Sequence, residues 1–212
     1  MKDNLQLVVT LYNEVTPINP LPSNTIFYDK KDSLTETLIL DNNYIRVPNI
    51  GKDAYTIPHY ITTFYDNLPD YVLFSQSDPY FHDPEFHVDK FRNKEFLGVC
   101  ERRGNWCGSI HLPFHGWDRL IHHDKWLKEF ESGELKPAKL TYGEYWDTYI
   151  KKPRPDPETM IWYHGIIFVV SKDKILQHPK EYYQALLSTF DCKNSEEIHY
   201  LERSIHYIFN EA

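Results

Sequence analysis

The sequence predicts a single layered α/β domain, a central sheet flanked by helices. Three observations carry this expectation. Short apolar, β-rich runs of the kind that form strands buried on both faces recur along the chain. Stretches with helical spacing of apolar residues alternate with them. The chain has 212 residues, enough for one substantial core but not for two full-sized ones, so we expect one domain over 1–212.

Leu5-Gln6-Leu7-Val8-Val9-Thr10-Leu11 is the first strand, and Pro17, Pro20 and Pro22 make the next stretch a loop. Thr25–Tyr28 reads as a second strand and Thr37–Leu40 as a weaker third. Asp53–Tyr65 has helical spacing (Tyr55, Ile61, Phe64, Tyr65), with Pro58 expected to mark an early turn or a kink. Tyr71–Phe74 is a buried strand closed by Ser75-Gln76-Ser77-Asp78-Pro79, and Phe96–Cys100 is another. Residues 117–131 carry an amphipathic helical pattern. The Pro-rich stretch Lys151–Pro157 is expected to be a mobile surface loop. Ile166–Val170 is the strongest strand signal, and helices are expected over 179–190 and 195–209.

Composition narrows the function. A net charge of −8 without a long basic run argues against a nucleic-acid partner, because duplex binding relies on clustered Lys and Arg. Such a chain binds a diphosphate only if a divalent cation bridges the charges. Aromatic residues make up 16% of the chain, including 16 Tyr and 5 Trp; rings with a polar edge suit sugar platforms, or simply an aromatic-rich core. Three cysteines (Cys100, Cys107, Cys192) in no CxxC pair suggest a reduced, cytoplasmic protein without a disulfide framework. The N-terminal apolar run is too short for a signal peptide, and no run is long enough for a transmembrane helix.

The most informative segment is Tyr71–Pro79. A buried strand that ends in Asp78 puts a carboxylate at the carboxyl edge of a sheet, where open α/β folds bind ligands. A hard cation, Mn²⁺ or Mg²⁺, prefers such oxygen ligands. Asp78 is therefore the first-choice metal ligand, with Gln76 two residues earlier on the same side of an extended chain; the plainer reading is that Asp78-Pro79 starts a turn. Asn49-Ile50-Gly51-Lys52-Asp53 suits a phosphate-binding loop, Gly51 allowing close backbone approach and Lys52 or Arg46 neutralising phosphate, although it is also an ordinary turn. In the last helix, His199, Glu202 and His206 share a face bordering the apolar stripe. Glu202 is a candidate general base on an acceptor hydroxyl, or a residue that holds another group acting as one, and His206 is a candidate metal ligand, against the alternative of a solvated helix edge. Arg102, Arg103, Trp106, His111, Trp117 and Asp118 offer charges and rings for an acceptor sugar, with Asp118 a second candidate base.

Val47-Pro48-Asn49-Ile50-Gly51-Lys52-Asp53, then Tyr65-Asp66-Asn67-Leu68-Pro69-Asp70 and Phe74-Ser75-Gln76-Ser77-Asp78-Pro79, resemble the pattern "LPNVGRE…YDNLPD…F.QGDP" of a fungal and viral glycosyltransferase-like family. The match is nearest to the N-terminal glycosyltransferase domain of a multidomain chlorella-virus protein, and it covers most of the chain. The resemblance implies a GT-A fold, a UDP-sugar donor, Mn²⁺ or Mg²⁺ as cofactor, a glycan acceptor, and further domains in a longer chain. Its N-terminal part would bind the nucleotide-sugar and its C-terminal part the acceptor. It implies that Thr10, Leu11 and Tyr12 hold the nucleobase, that Gln76-Ser77-Asp78 occupies the place of the family's Asp-x-Asp motif with only the last acid present, and that His164 contacts donor sugar and acceptor. Two rival readings stand beside it. One is a zinc hydrolase built on the cluster from His111 through His115, His122 and His123 to Asp124. The other is a non-catalytic carbohydrate-binding domain.

Overall fold

A computed structural model describes residues 4–12, 16–30, 38–40, 43–103, 117–119 and 124–210. The fold is mixed α/β, as expected, and its main sheet is mixed. The strands are β1 (Leu5–Leu11), β2 (Ile26–Asp29), β3 (Leu38–Leu40), β4 (Tyr44–Arg46), β5 (Tyr71–Gln76), β6 (Phe96–Gly98), β7 (Glu101–Arg103), β8 (Ile161–Tyr163) and β9 (Phe168–Ser171). The main sheet has the order β3-β4-β2-β1-β5-β9-β6, while β7 and β8 form a separate ribbon. β1 runs parallel to both β2 and β5, and β2 runs parallel to β4. β3, β9 and β6 pair antiparallel with their neighbours. The carboxyl ends of β1, β2, β4 and β5 therefore share one edge.

The central strands are apolar on both faces because both faces are covered. Val8, Tyr28, Ile45, Val72, Phe74, Phe168 and Val170 pack under helices α1 (Lys52–Phe64), α5 (Lys180–Leu187) and α6 (Glu196–Phe209). Leu5, Leu7, Val9, Phe27, Leu73 and Val169 point the other way, onto Ile18, Phe86, Val88 and Phe91, in a segment of short 3₁₀ turns. Each fully buried Leu or Phe contributes about 1.5–3 kcal/mol, so the two faces together fix the strand register.

Several elements differ from expectation for local reasons. α1 runs unbroken through Pro58, whose ring is buried with Ile57 and Ile61; packing there outweighs the missing backbone hydrogen bond. The strongest strand signal starts late, at Phe168, because Ile166 has φ 53° and still belongs to a turn. Cys100, at φ 55°, separates β6 from β7. Residues 117–119 are not helical, and α2 spans Asp124–Glu131. The Pro-rich stretch is tethered. Trp146 Nε1 donates to Lys152 O at 2.8 Å, Lys152 Nζ donates to Tyr207 O, and Arg154 lies over the Trp117 ring and pairs with Asp147. The pattern did not predict β4, the β7–β8 ribbon, α3 (Tyr142–Tyr145) or the π-helical turn Trp146–Ile150 that follows it. The remaining helix, α4 (Lys172–Ile175), is one turn long.

α6 is the central helix of the domain. A one-sided apolar stripe predicts solvent on its other side, yet every residue from Glu196 to Phe209 except half-buried His199 is buried. Each polar group on it must therefore find a partner inside the protein. Glu196 Oε2, for example, accepts from Ala138 N–H at 3.0 Å and lies 3.4 Å from Arg119. Among the described residues, no helix is long and apolar enough to cross a membrane.

Candidate functional site

The strand order reverses at β1. Its connection to β2 leads to one side, and β5 lies on the other. In open α/β sheets the crevice outside the carboxyl ends at such a switch point is the usual ligand site. The residues at that edge are Leu11 closing β1 with Tyr12 beyond it, Lys30 after β2, Arg46 closing β4, the start of α1, and Gln76 closing β5 with Ser77 and Asp78 beyond it.

A buried polar network lines the β1–β2–β4 side. Tyr12 Oη donates to Asp53 Oδ1 at 3.1 Å. Lys30, only 1% exposed, donates from Nζ to Ile50 O at 2.5 Å and to Lys52 O, and lies 4.7 Å from the centroid of the Tyr55 ring. Burial pushes the Lys30 ammonium down to about 7, against the pull of Asp53. Burial also pushes the Asp53 carboxyl up to about 6, against Lys30 and the Tyr12 hydrogen bond. Each charge favours the other's charged form, against the burial that disfavours both. Arg46 Nε is 3.6 Å from Asp29 Oδ2, on the same rim.

Gly51 has a different purpose from the one its sequence context suggests. Its φ is +64°, and a Cβ there would meet the Phe190 ring and Tyr55 Cβ at 2.9 Å. The residue is glycine to let the loop turn left-handed and pack inward. Lys52 follows with φ 43°, and Asn49 is half-buried beside them.

Of the three residues proposed for the nucleobase, Thr10 is buried with Oγ1 3.0 Å from Thr56 Oγ1, and Leu11 is buried with its carbonyl accepting Lys30 N–H. Tyr12 alone of the three is half-buried at the rim.

On the β5 side, Asp78 is exposed. One carboxylate oxygen accepts Tyr80 N–H at 3.0 Å and so caps the 3₁₀ turn Pro79–Phe81. The turn reading of Asp78-Pro79 is thus realised, in a residue that stays exposed. Gln76 Nε2 donates to the Asp78 carbonyl at 2.7 Å, and Ser77 O accepts from Thr16 Oγ1 at 2.6 Å. Both contacts help to hold the backbone around Asp78, and the Gln76 amide is spent on that contact.

The same turn delivers Phe81 and His82, which sequence reasoning missed. The available signal was their position three and four residues after the strand-terminal Asp. Phe81 is 81% exposed, and its ring centroid is 5.0 Å from that of His82. His82 stacks edge-on against His164 with ring centroids 4.8 Å apart. Gly165, at φ +86°, makes the approach possible, since a Cβ there would lie 2.5 Å from the His82 ring.

Glu202 reaches this group from α6. Its Oε1 accepts Gly165 N–H at 3.0 Å, and its Oε2 lies 3.6 Å from His199 Nδ1 and 3.8 Å from Arg203. Burial favours the neutral acid, but His199, Arg203 and the Gly165 N–H outweigh it and hold the carboxyl down at about 2. A carboxylate this acidic is a weak base near neutral pH. Glu202 is therefore best read as the group that fixes the turn before β9, and with it His164, in place of the general base expected from the sequence. The solvated-edge alternative is also excluded, since Glu202 is 7% exposed.

Two further candidates lie elsewhere. His206 is buried, with Nδ1 3.0 Å from Tyr163 Oη and its ring against Phe96. These contacts assign it to packing and give no support to a place in a metal shell. His82 is an imidazole that does feel the Asp78 charge. Asp118 is exposed, and its carbonyl accepts Tyr142 N–H in the helical layer rather than at the strand edge. The His111, His115, His122 and His123 cluster lies outside the described residues, as does the side chain of Asp124.

Fold and site together define a mixed α/β protein with charged and polar groups gathered at a topological switch point. The chain belongs to the family described as Protein of unknown function (DUF3431), whose model matches residues 22–212. No curated protein matches it.

Proposed function

We propose that the protein is a metal-dependent glycosyltransferase of GT-A type, moving a hexose or deoxyhexose from a UDP-sugar to a glycan hydroxyl. The observation that carries this reading is the gathering of charged and polar groups at the β1/β5 switch point. One side offers the Tyr12–Asp53–Lys30 network and Arg46, and the other offers the carboxylate of Asp78, two residues past the end of β5.

The residues fit a hard divalent cation. Asp78 stays exposed just past the end of a strand, and the Gln76 and Ser77 contacts help to hold the backbone around it. Bound there, Mn²⁺ or Mg²⁺ supplies charge neutralisation for the leaving diphosphate. The protein's own contribution is positioning. Arg46 and Lys52 border the phosphates, and Tyr12 borders the base. Glu202 pins Gly165 so that His164 faces the sugar and acceptor. Exposed Phe81, beside His82, offers an apolar ring for the C–H face of an acceptor sugar.

The test is calorimetry of UDP binding with and without Mn²⁺. Binding is expected only with metal in the native protein and is expected to be lost in Asp78→Ala. Absence of UDP binding under every metal condition would overturn the reading. Once a substrate pair turns over, Phe81→Ala is expected to raise the acceptor KM about five- to tenfold while leaving the donor KM unchanged, matching about 1–1.5 kcal/mol for one ring–sugar contact. An equal change in both KM values would count against the platform.

A further inference from the structure

Beside the Asp78 turn the structure gathers a second set of donors whose chemistry is different. His82 follows that turn, Cys100 sits between β6 and β7, and His164 sits between β8 and β9. One nitrogen of each imidazole and the Cys100 sulfur all lie within 4.8 Å of one another. Three features hold these connections together. His82 N–H donates to Pro79 O at 3.0 Å, and His164 N–H donates to Cys100 O at 3.2 Å. Gly165 leaves room for the His82 ring where any Cβ would collide with it.

Cys100 is a free thiol and half-buried, while His164 is exposed. The site is therefore reachable from solvent. The charges of Glu202 and Asp78 reach His82 and favour a cation there.

We propose that His82, Cys100 and His164 form a binding site for a soft divalent cation of the zinc class, separate from the oxygen site at Asp78. Two imidazoles and a thiolate suit zinc, whereas Mn²⁺ and Mg²⁺ prefer oxygen. A tetrahedral ion with ordinary Zn–N and Zn–S bonds spaces its ligand atoms about 3.5 Å apart. The trio closes to that spacing with side-chain shifts of about an ångström. On binding, a Cys100 sulfur–metal bond forms and the thiol proton leaves to solvent, one proton per ion. With three protein ligands, the fourth tetrahedral position takes water or a substrate atom. The ion would join the β5–β6, β6–β7 and β8–β9 connections.

The inference does not depend on the transferase reading, and its test is separate. Metal-free protein is titrated with Co²⁺, with Mn²⁺-dependent UDP binding measured on the same samples. The expected result is one Co²⁺ per chain with a thiolate-to-cobalt charge-transfer band. Cys100→Ser is expected to lose that band and bind Co²⁺ at least tenfold more weakly while keeping any Mn²⁺-dependent UDP binding. His164→Asn, at an exposed position, is expected to weaken Co²⁺ binding to a similar degree and serves if Cys100→Ser does not fold. Co²⁺ binding without a thiolate band, a band that survives Cys100→Ser, or no stoichiometric binding would each overturn the proposal.

Discussion

Lys30→Met is expected to destabilise the protein by about 3–5 kcal/mol, the usual cost of removing one partner from a buried charge pair. For a chain of this size that is a fall in melting temperature of roughly 6–20 °C. The change leaves the Ile50 and Lys52 carbonyls without their donor and Asp53 without its main positive neighbour. The pH dependence separates this mechanism from lost packing. In the native protein burial already raises the Asp53 carboxyl to about 6. Without Lys30 it rises further, so the folded state holds a proton that the unfolded state has released. The variant's stability therefore falls as pH rises through the interval between the unfolded and folded values. Its deficit relative to the native protein should be smaller at pH 5 than at pH 8, as measured by denaturant unfolding. Adding Asp53→Asn should restore part of the loss at pH 8. A deficit that does not vary with pH would show that the ammonium acts through its packing on Tyr55.

Glu202→Gln carries the second large effect, and its sign is opposite. The folded carboxyl is held at about 2, below its ordinary value of 4.5. Its contribution is therefore fully present above pH 4.5 and is lost as pH falls toward 2. The shift corresponds to about 3 kcal/mol. Glu202→Gln should cost about that much at pH 7 and progressively less on acidification. If the transferase reading holds, the same change should lower kcat without displacing its pH optimum, because the carboxylate positions His164 and takes no proton from the acceptor. A variant that loses an ionisation from its rate profile would restore Glu202 as a base.

The strand skeleton was readable because burial on both faces leaves a continuous apolar run. β1 matches its expected bounds, and β5 was expected at the right place but runs on to Gln76. The short elements were not readable. β4, Tyr44–Arg46, carries one buried residue between an exposed and a half-buried one, so its pairing with β2 leaves little trace in composition. Asp78 was legible because a strand-ending acid is a local pattern. Lys30 was not, because nothing in its own segment indicates that its ammonium is buried under a loop twenty residues further on. Glu202 was found for its position on a helix face, but which of its two candidate roles the fold favours was not readable. The favoured role depends on the Gly165 N–H and on Arg203, and no periodicity encodes either contact. His82 and Cys100 come together only through the turns that bring three connections to one place.

The uniform burial of α6 has a consequence for the order in which the site comes into being. Tyr12, Lys30 and Asp78 follow strands of the parallel core, and Asp53 lies in the first turn of the helix after β4. The turn that carries His164 is held by Glu202, which belongs to the element latest in sequence among those that build the site. Those groups therefore all precede, in the order of synthesis, the helix that fixes His164. The last helix to be made is the one that ties down the turn carrying His164.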